Sequence, residues 1–224
     1  SGGDKLINSV DIPIVEESNP LMGLRAVRLS LEYPNLLKTQ LRALYRASVY
    51  GNLRIMLPLI TSVDQVTSCI KLVDEVKKEL TFENIPFNDK VPLGIMVETA
   101  AAAIISDCLA KVSDFFSLGT NDLTQYTLGI DRENQHVSAL YDEFHLGVLR
   151  LIQITITNAN EANIPVSVCG EMAGRQDSIM VLAGMGIRNL SMSPKLISST
   201  KELLSRFTTS ELEAISAKRL TNIF

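Results

Sequence analysis

Three short apolar runs of this chain each end in reactive side chains. Leu93–Thr99 (LGIMVET) ends on Glu98, Asp114–Leu123 (DFFSLGTNDL) on Asn121 and Asp122, and Pro165–Ala173 (PVSVCGEMA) on Cys169, with Glu171 just beyond. If these runs are parallel strands of a barrel, their C-terminal ends meet on one face, where such barrels carry their chemistry. Two carboxylates, an amide and a thiol on one face suit a magnesium-assisted enzyme. Magnesium takes one or two protein carboxylates and fills its octahedron with substrate and water. A thiol titrates in a range useful to a proton donor. On the residues alone, each has a plainer reading as well: Asp122 as a helix cap, Asn121 as a turn amide, and Cys169 as a buried structural cysteine.

The elements that must position these groups follow from pattern. Arg54–Ile60 (RIMLPLI) is the first strong strand. Ser62 then caps a helix and Gln65 completes a capping box. Val63, Val66, Ile70, Val73 and Val76 give that helix an apolar stripe reaching about Leu80. Thr81–Val91, with Asn84, Pro86, Asn88 and Asp89, is a loop. Strand Leu93–Val97 leads into an alanine-rich helix from Thr99 to about Lys111. Strand Phe115–Leu118 leads into a short helical turn, and Ser138 opens a long helix to about Asn163. Strand Val166–Cys169, helix Gln176–Met185, strand Asn189–Met192 and a helix through Leu203 continue the alternation. Thr208 and Glu211 open a last helix. Upstream, Pro34 suits the first turn of a helix to about Tyr50.

Strands apolar on both faces, alternating with helices, predict a parallel sheet covered by helices. Five strands are legible, whereas a (β/α)8 barrel needs eight. The pattern therefore leaves two readings, an incomplete barrel or an open doubly wound sheet. No GxGxxG follows a strand, which counts against a dinucleotide fold.

Composition narrows the classes. The chain has 224 residues, 46% of them apolar, which excludes disorder and allows one domain with a large core. The net charge of −4 argues against a nucleic-acid surface or a basic membrane patch. Cys69, Cys108 and Cys169 form no CxxC pair, so neither zinc nor a disulfide framework is expected, and a reducing, cytoplasmic setting fits. No apolar run reaches membrane-spanning length, and no signal peptide is expected. The abrupt start, SGGDK, reads as an artificial boundary rather than a native one.

At Gly119–Arg132 (GTNDLTQYTLGIDR) the sequence resembles the signature of the PEP-utilising enzymes. Asn19–Arg25 (NPLMGLR), Arg54–Ile60, Ile95–Thr99 (IMVET), Cys169–Gly174 (CGEMAG) and Leu190–Pro194 (LSMSP) follow in the family's order and spacing. The resemblance covers essentially the whole chain. It implies a (β/α)8 barrel of the phosphoenolpyruvate/pyruvate-binding type that dimerises. It also implies that the first two strands and most of the third are missing here, with Gly2–Lys5 as the tail of the third. Within the family, MAG after CGE and DR after LGI resemble the phosphotransferase branch. Pyruvate phosphate dikinase and PEP synthase are the alternatives, and a synthase would be expected to carry CGQ. A non-catalytic binding and dimerisation module is the alternative for the isolated piece, which is expected to be inactive alone.

The resemblance assigns roles residue by residue. Glu98 and Asp122 are implied as magnesium ligands, and Arg25 and Arg132 as phosphate clamps. A guanidinium offers a phosphate two parallel hydrogen bonds and stays charged. Without the resemblance, Arg132 would be read as a surface ion pair with Asp131 or Glu133. Asn121 is implied as a donor to a phosphate oxygen. Cys169 is implied as the general acid that protonates the enolate to pyruvate. The phosphoryl group is expected to pass to a histidine of an upstream domain and then to a phosphocarrier protein. His136 and His145 are therefore not expected as acceptors. Cys69 and Cys108 are expected as packing residues or inert thiols. The chain departs from the family's pattern where Asp142-Glu143, Leu146 and Ala100 stand near or at expected prolines, which puts the Tyr141–Gly147 loop and the dimer contact in question.

Overall fold

The computed structural model of this protein describes residues 17–221. The strand tail expected at Gly2–Lys5 lies outside them. The chain opens with helices α1 (Ala26–Glu32) and α2 (Pro34–Ala47), the latter with Pro34 in its first turn as expected. It then alternates: β1 (Ile55–Leu57), α3 (Val63–Phe82), β2 (Leu93–Val97), α4 (Ala100–Ile104), α5 (Ser106–Leu109), β3 (Phe116–Gly119), α6 (Thr120–Leu128) and α7 (Leu146–Glu161). It ends with β4 (Val166–Cys169), α8 (Gln176–Gly184), β5 (Asn189–Leu190), α9 (Ile197–Ser205) and α10 (Thr209–Thr221).

The five strands form one parallel sheet in the order β1-β2-β3-β4-β5, with Ile55 opposite Leu93, Ile95 opposite Phe116, Leu118 opposite Val168, and Val168 opposite Leu190. Each crossover therefore steps one place in the same direction. A doubly wound sheet reverses direction at a switch point, and this one does not. The open doubly wound reading is thereby excluded in favour of the barrel type. Among the described residues the sheet stays open, with β1 and β5 at its edges.

Helices cover the sheet because the strands are apolar on both sides. Ile95, Val97, Phe116, Leu118 and Val168 are fully buried. They meet Val66, Cys69, Val73, Val76 and Leu80 of α3 and Val148, Leu149, Ile152 and Ile156 of α7. Burying each large side chain contributes roughly 1.5–3 kcal/mol.

The caps hold with one shift. Ser62 Oγ accepts from the Gln65 N–H at 3.4 Å, while Gln65 Oε1 accepts from Thr61, not Ser62, at 2.8 Å. At the last helix the Thr208 N–H donates to Glu211 Oε2 at 2.8 Å and the Glu211 N–H to Thr208 Oγ1 at 3.3 Å, a complete capping box.

Four helices differ from expectation. The alanine-rich helix breaks after Ile104, where the buried Ser106 hydroxyl donates to the Ala103 carbonyl at 2.7 Å and receives Asn158 Nδ2 at 2.8 Å. A hydroxyl bonded to a nearby carbonyl competes with the helical ladder. The long helix expected from Ser138 starts only at Leu146. Asp142 Oδ1 first takes the Phe144 N–H at 2.8 Å, and His145 Nδ1 caps α7 through the Gly147 N–H at 3.1 Å. The helical turn after β3 is a full helix, α6. Helix α1 was not expected at all.

Candidate active site

Because the strands are parallel, the residues after β2, β3 and β4 share one edge of the sheet. Glu98 follows β2 directly. It is 9% exposed, and its Oε1 accepts the Leu59 N–H at 2.6 Å. Burial, and next the charge of Asp122, push its carboxyl up to about 7, against the Leu59 hydrogen bond, Arg25 and Arg132. Gly119 makes room for it, since a Cβ there would lie 2.8 Å from Glu98 Oε2.

Asp122 sits in the first turn of α6, where the helix dipole favours an anion. It is not the cap, because Gly119 holds that position and offers no side chain. Its Oδ1 lies 2.7 Å from Arg132 Nη1 and its Oδ2 3.5 Å from Arg25 Nη2. Arg132 is thus no partner of Asp131 or Glu133 on the surface. One carboxylate stands between the two guanidinium groups that the sequence singled out. Gln125 Oε1 accepts the Arg132 N–H at 3.1 Å. Arg25 also donates through Nη1 to Tyr126 Oη at 3.0 Å.

Asn121 is used from its other end. Its Oδ1 accepts the Glu171 N–H at 2.8 Å, tying α6 to the loop after β4 and leaving the amide nitrogen for a ligand. The intervening Gly170 holds φ +95°, and a Cβ there would lie 2.6 Å from Thr120 Oγ1. Glycine alone adopts that backbone freely. Tyr141 Oη donates to the Asn121 carbonyl at 3.2 Å.

Cys169, the last residue of β4, is half-buried. Its Sγ lies 3.7 Å from Ser117 Oγ, 3.5 Å from Met96 Sδ and 3.5 Å from the Leu118 carbonyl oxygen. Burial pushes the thiol up, the Ser117 hydrogen bond opposes this, and the charges of Glu98 and Asp122 add to it. These surroundings favour the protonated form of the sulfur.

All six residues singled out from the sequence, Arg25, Glu98, Asn121, Asp122, Arg132 and Cys169, belong to this one neighbourhood. The sequence reading missed Leu59, Gln125, Tyr126 and Tyr141. Gln125 and Tyr126 carried a signal, since they follow Asn121 and Asp122 by one helical turn. Of the other thiols, Cys69 is buried, as expected of a packing residue. Cys108 is exposed instead. His145 is engaged as the α7 cap.

Among the described residues no group of three His, Cys, Asp or Glu side chains is placed to hold a metal. Magnesium does not need three, since substrate and water fill its remaining positions. A buried carboxyl raised by a neighbouring carboxylate is a site that gains from a divalent cation, so the donor set fits magnesium. No helix of the described residues is long and apolar enough to cross a membrane.

Comparison with known proteins identifies the family. Residues 1–209 match the family model described as PEP-utilising enzyme, PEP-binding domain. A phosphoenolpyruvate-protein phosphotransferase of Lactococcus lactis subsp. lactis is 43% identical over 222 residues, covering 98% of this chain and 38% of the relative. Those of Borreliella burgdorferi and Listeria monocytogenes are 40% and 41% identical, over 99% and 98% of this chain and 38% of each relative. The chain thus spans less than two fifths of the length of these relatives. Among solved structures, a citrate lyase of Burkholderia xenovorans superposes with a TM-score of 0.57 at 19% identity, covering 81% of this chain and 59% of that one. At that identity the likeness speaks for the fold alone. The match over residues 1–209 and relatives at 40–43% identity lead to one conclusion: this chain belongs to the PEP-utilising enzymes and carries their PEP-binding domain.

Proposed function

We propose that this domain binds phosphoenolpyruvate with magnesium and presents its phosphoryl group to a histidine on another domain. From there the group passes to a phosphocarrier protein in sugar uptake, and pyruvate is released. The observation that carries the reading is the Asp122 carboxylate set between Arg25 and Arg132 beside the buried Glu98.

Glu98 and Asp122 would hold the magnesium, which supplies positive charge to the crowded phosphate and carboxylate oxygens of the substrate. Arg25 and Arg132 bind phosphate oxygens and keep their charge throughout the transfer. The Asn121 amide nitrogen donates to a further phosphate oxygen. When the bond between phosphorus and the enol oxygen breaks and a bond from phosphorus to the histidine nitrogen forms, an enolate remains. The Cys169 thiol gives its proton to the methylene carbon of that enolate, yielding pyruvate, and the thiolate is reprotonated from water. In the same reading two copies associate through this domain, and the protein works in the cytoplasm.

Calorimetric titration of the chain with phosphoenolpyruvate, with and without magnesium, tests binding. Magnesium-dependent heat is expected; equal binding with and without the metal removes Glu98 and Asp122 as its ligands. Light scattering tests association, and a single-chain mass at all concentrations rules it out. In the full-length protein, Cys169→Ala is expected to slow deuterium uptake into pyruvate while phosphoenolpyruvate still binds. Lost binding instead would make the thiol structural.

A further inference from the structure

Tyr126 follows Asp122 by one turn of α6, so the two side chains leave the same face of the helix. Both reach Arg25. Asp122 Oδ2 lies 3.5 Å from Nη2, and Tyr126 Oη lies 3.0 Å from Nη1. The tyrosine hydroxyl has one proton, and it is donated to the Leu21 carbonyl oxygen. Its lone pairs are then the only groups it can offer to Arg25, so Oη accepts from Nη1. Nη1 also lies 3.4 Å from the same Leu21 carbonyl. Its donors are thus occupied by the protein itself.

The other edge of the guanidinium is different. Nε is buried and has no hydrogen-bond partner among the described residues. Among the described residues Nη2 has only the long contact to Asp122, against 2.7 Å for the Asp122–Arg132 pair. A buried N–H with no acceptor carries its full desolvation penalty, and an incoming acceptor relieves it. Nε and Nη2 share one side of the planar group, and two parallel N–H donors match two oxygens of a phosphate. Ala26, directly after Arg25, holds φ +51°, so the backbone turns sharply where the arginine leaves it.

We propose that Tyr126 is a positioning residue that holds Nη1 of Arg25 and so presents the Nε–Nη2 edge to a tetrahedral oxyanion. The inference deepens the function proposed above and rests on it for the identity of that oxyanion as the phosphate of phosphoenolpyruvate.

Heteronuclear spectra of the arginine Nε–H groups test it on this chain, with Arg25→Lys assigning the Arg25 signal. The probes are inorganic phosphate, then phosphoenolpyruvate with magnesium. In the unmodified chain both anions are expected to shift the Arg25 Nε–H signal. Tyr126→Phe keeps the buried ring and removes the acceptor, and is expected to weaken phosphate binding roughly tenfold and shrink that shift. Arg25→Lys keeps the charge without the edge and is expected to bind at least as poorly. Unmodified affinity and signal in Tyr126→Phe, or unmodified affinity in Arg25→Lys, overturns the inference and leaves the function standing. So does anion binding that never moves the Arg25 Nε–H signal. Failure of the unmodified chain to bind either anion overturns both.

Discussion

The Leu59 N–H donates to Glu98 Oε1 at 2.6 Å, and Leu59 itself holds φ +54°. A branched, buried residue in the left-handed region costs about 1–2 kcal/mol. The strained turn after β1 thus anchors the carboxylate that ends β2. Strain held at a functional site persists only where the surrounding packing enforces it, and Leu59 is 2% exposed.

This contact separates two substitutions that both remove the charge. Glu98→Gln keeps an oxygen for the Leu59 N–H, whereas Glu98→Ala leaves that N–H buried without a partner. Glu98→Ala is expected to be less stable than Glu98→Gln by about 1–3 kcal/mol in urea denaturation. Both are expected to lose the magnesium dependence of phosphoenolpyruvate binding. Equal stability of the two variants would show that water replaces the lost acceptor at no cost.

Asp122 competes with any anion for the two arginines. Asp122→Ala frees Arg25 and Arg132 together, and is expected to bind inorganic phosphate more tightly than the unmodified chain when magnesium is absent. The expected gain is severalfold, since one part-buried charge pair is worth roughly 1 kcal/mol or more. The same variant is expected to gain nothing from magnesium. Weaker phosphate binding in calorimetry would mean that Asp122 orients the arginines rather than occupying them.

Much of this was legible from sequence, for identifiable reasons. Strands buried on both faces are uninterrupted apolar runs, so β2, β3 and β4 were visible with the reactive residues at their ends. Ser62 and Thr208 announced their helices because a cap needs only its own neighbours. What escaped depends on contacts between distant segments. The Ser106 hydroxyl that breaks the alanine-rich helix is held by Asn158. The late start of α7 follows from Asp142 closing a local turn, with Glu143 buried against Arg175 at 3.1 Å. Nothing in the run LPLI signals that Leu59 turns left-handed, because Glu98 lies thirty-nine positions away.

The three thiols should separate by alkylation. Cys108 is exposed, Cys169 is half-buried with its thiol pushed up, and Cys69 is buried with its thiol pushed up to about 11. Since the thiolate is the reactive species, iodoacetamide at neutral pH is expected to label Cys108 first, Cys169 more slowly and Cys69 only on unfolding. Mass spectrometry of the peptides reads the order. Cys169 labelling ahead of Cys108 would mean an activated thiolate and would argue against a proton-donor role.

Glu143 offers a pH test away from the metal pair. It is 3% exposed, and burial raises its carboxyl above the usual range, with Arg175 opposing and Glu171, Asp177 and Asp142 adding. The folded state therefore holds this proton to higher pH than the unfolded chain does. Stability falls as pH rises from the ordinary carboxylate range through the raised value. Glu143→Gln removes that loss. Its thermal midpoint is expected to gain on the unmodified chain as the solution goes from acid to neutral. An unmodified chain that gains instead would show that the Arg175 pair outweighs burial.

Gly119 tests whether the site depends on how closely β2 and β3 approach. A Cβ there would lie 2.8 Å from Glu98 Oε2, 2.9 Å from Glu98 Cβ and 2.9 Å from Met96 Sδ. The carboxylate tip can swing aside, but Glu98 Cβ moves only with its backbone. Gly119→Ala must therefore part the strands or turn Glu98 away from Leu59, at a cost of about 1–3 kcal/mol. The magnesium response of phosphoenolpyruvate binding should go with it. Gly129 is the control: it holds φ +65° with nothing within 4 Å of an added Cβ. Gly129→Ala is expected to cost about 1–2 kcal/mol through backbone strain alone and to leave binding intact. If both variants lose binding equally, general destabilisation is the cause. If only Gly119→Ala loses it, the approach of the two strands sets the position of Glu98.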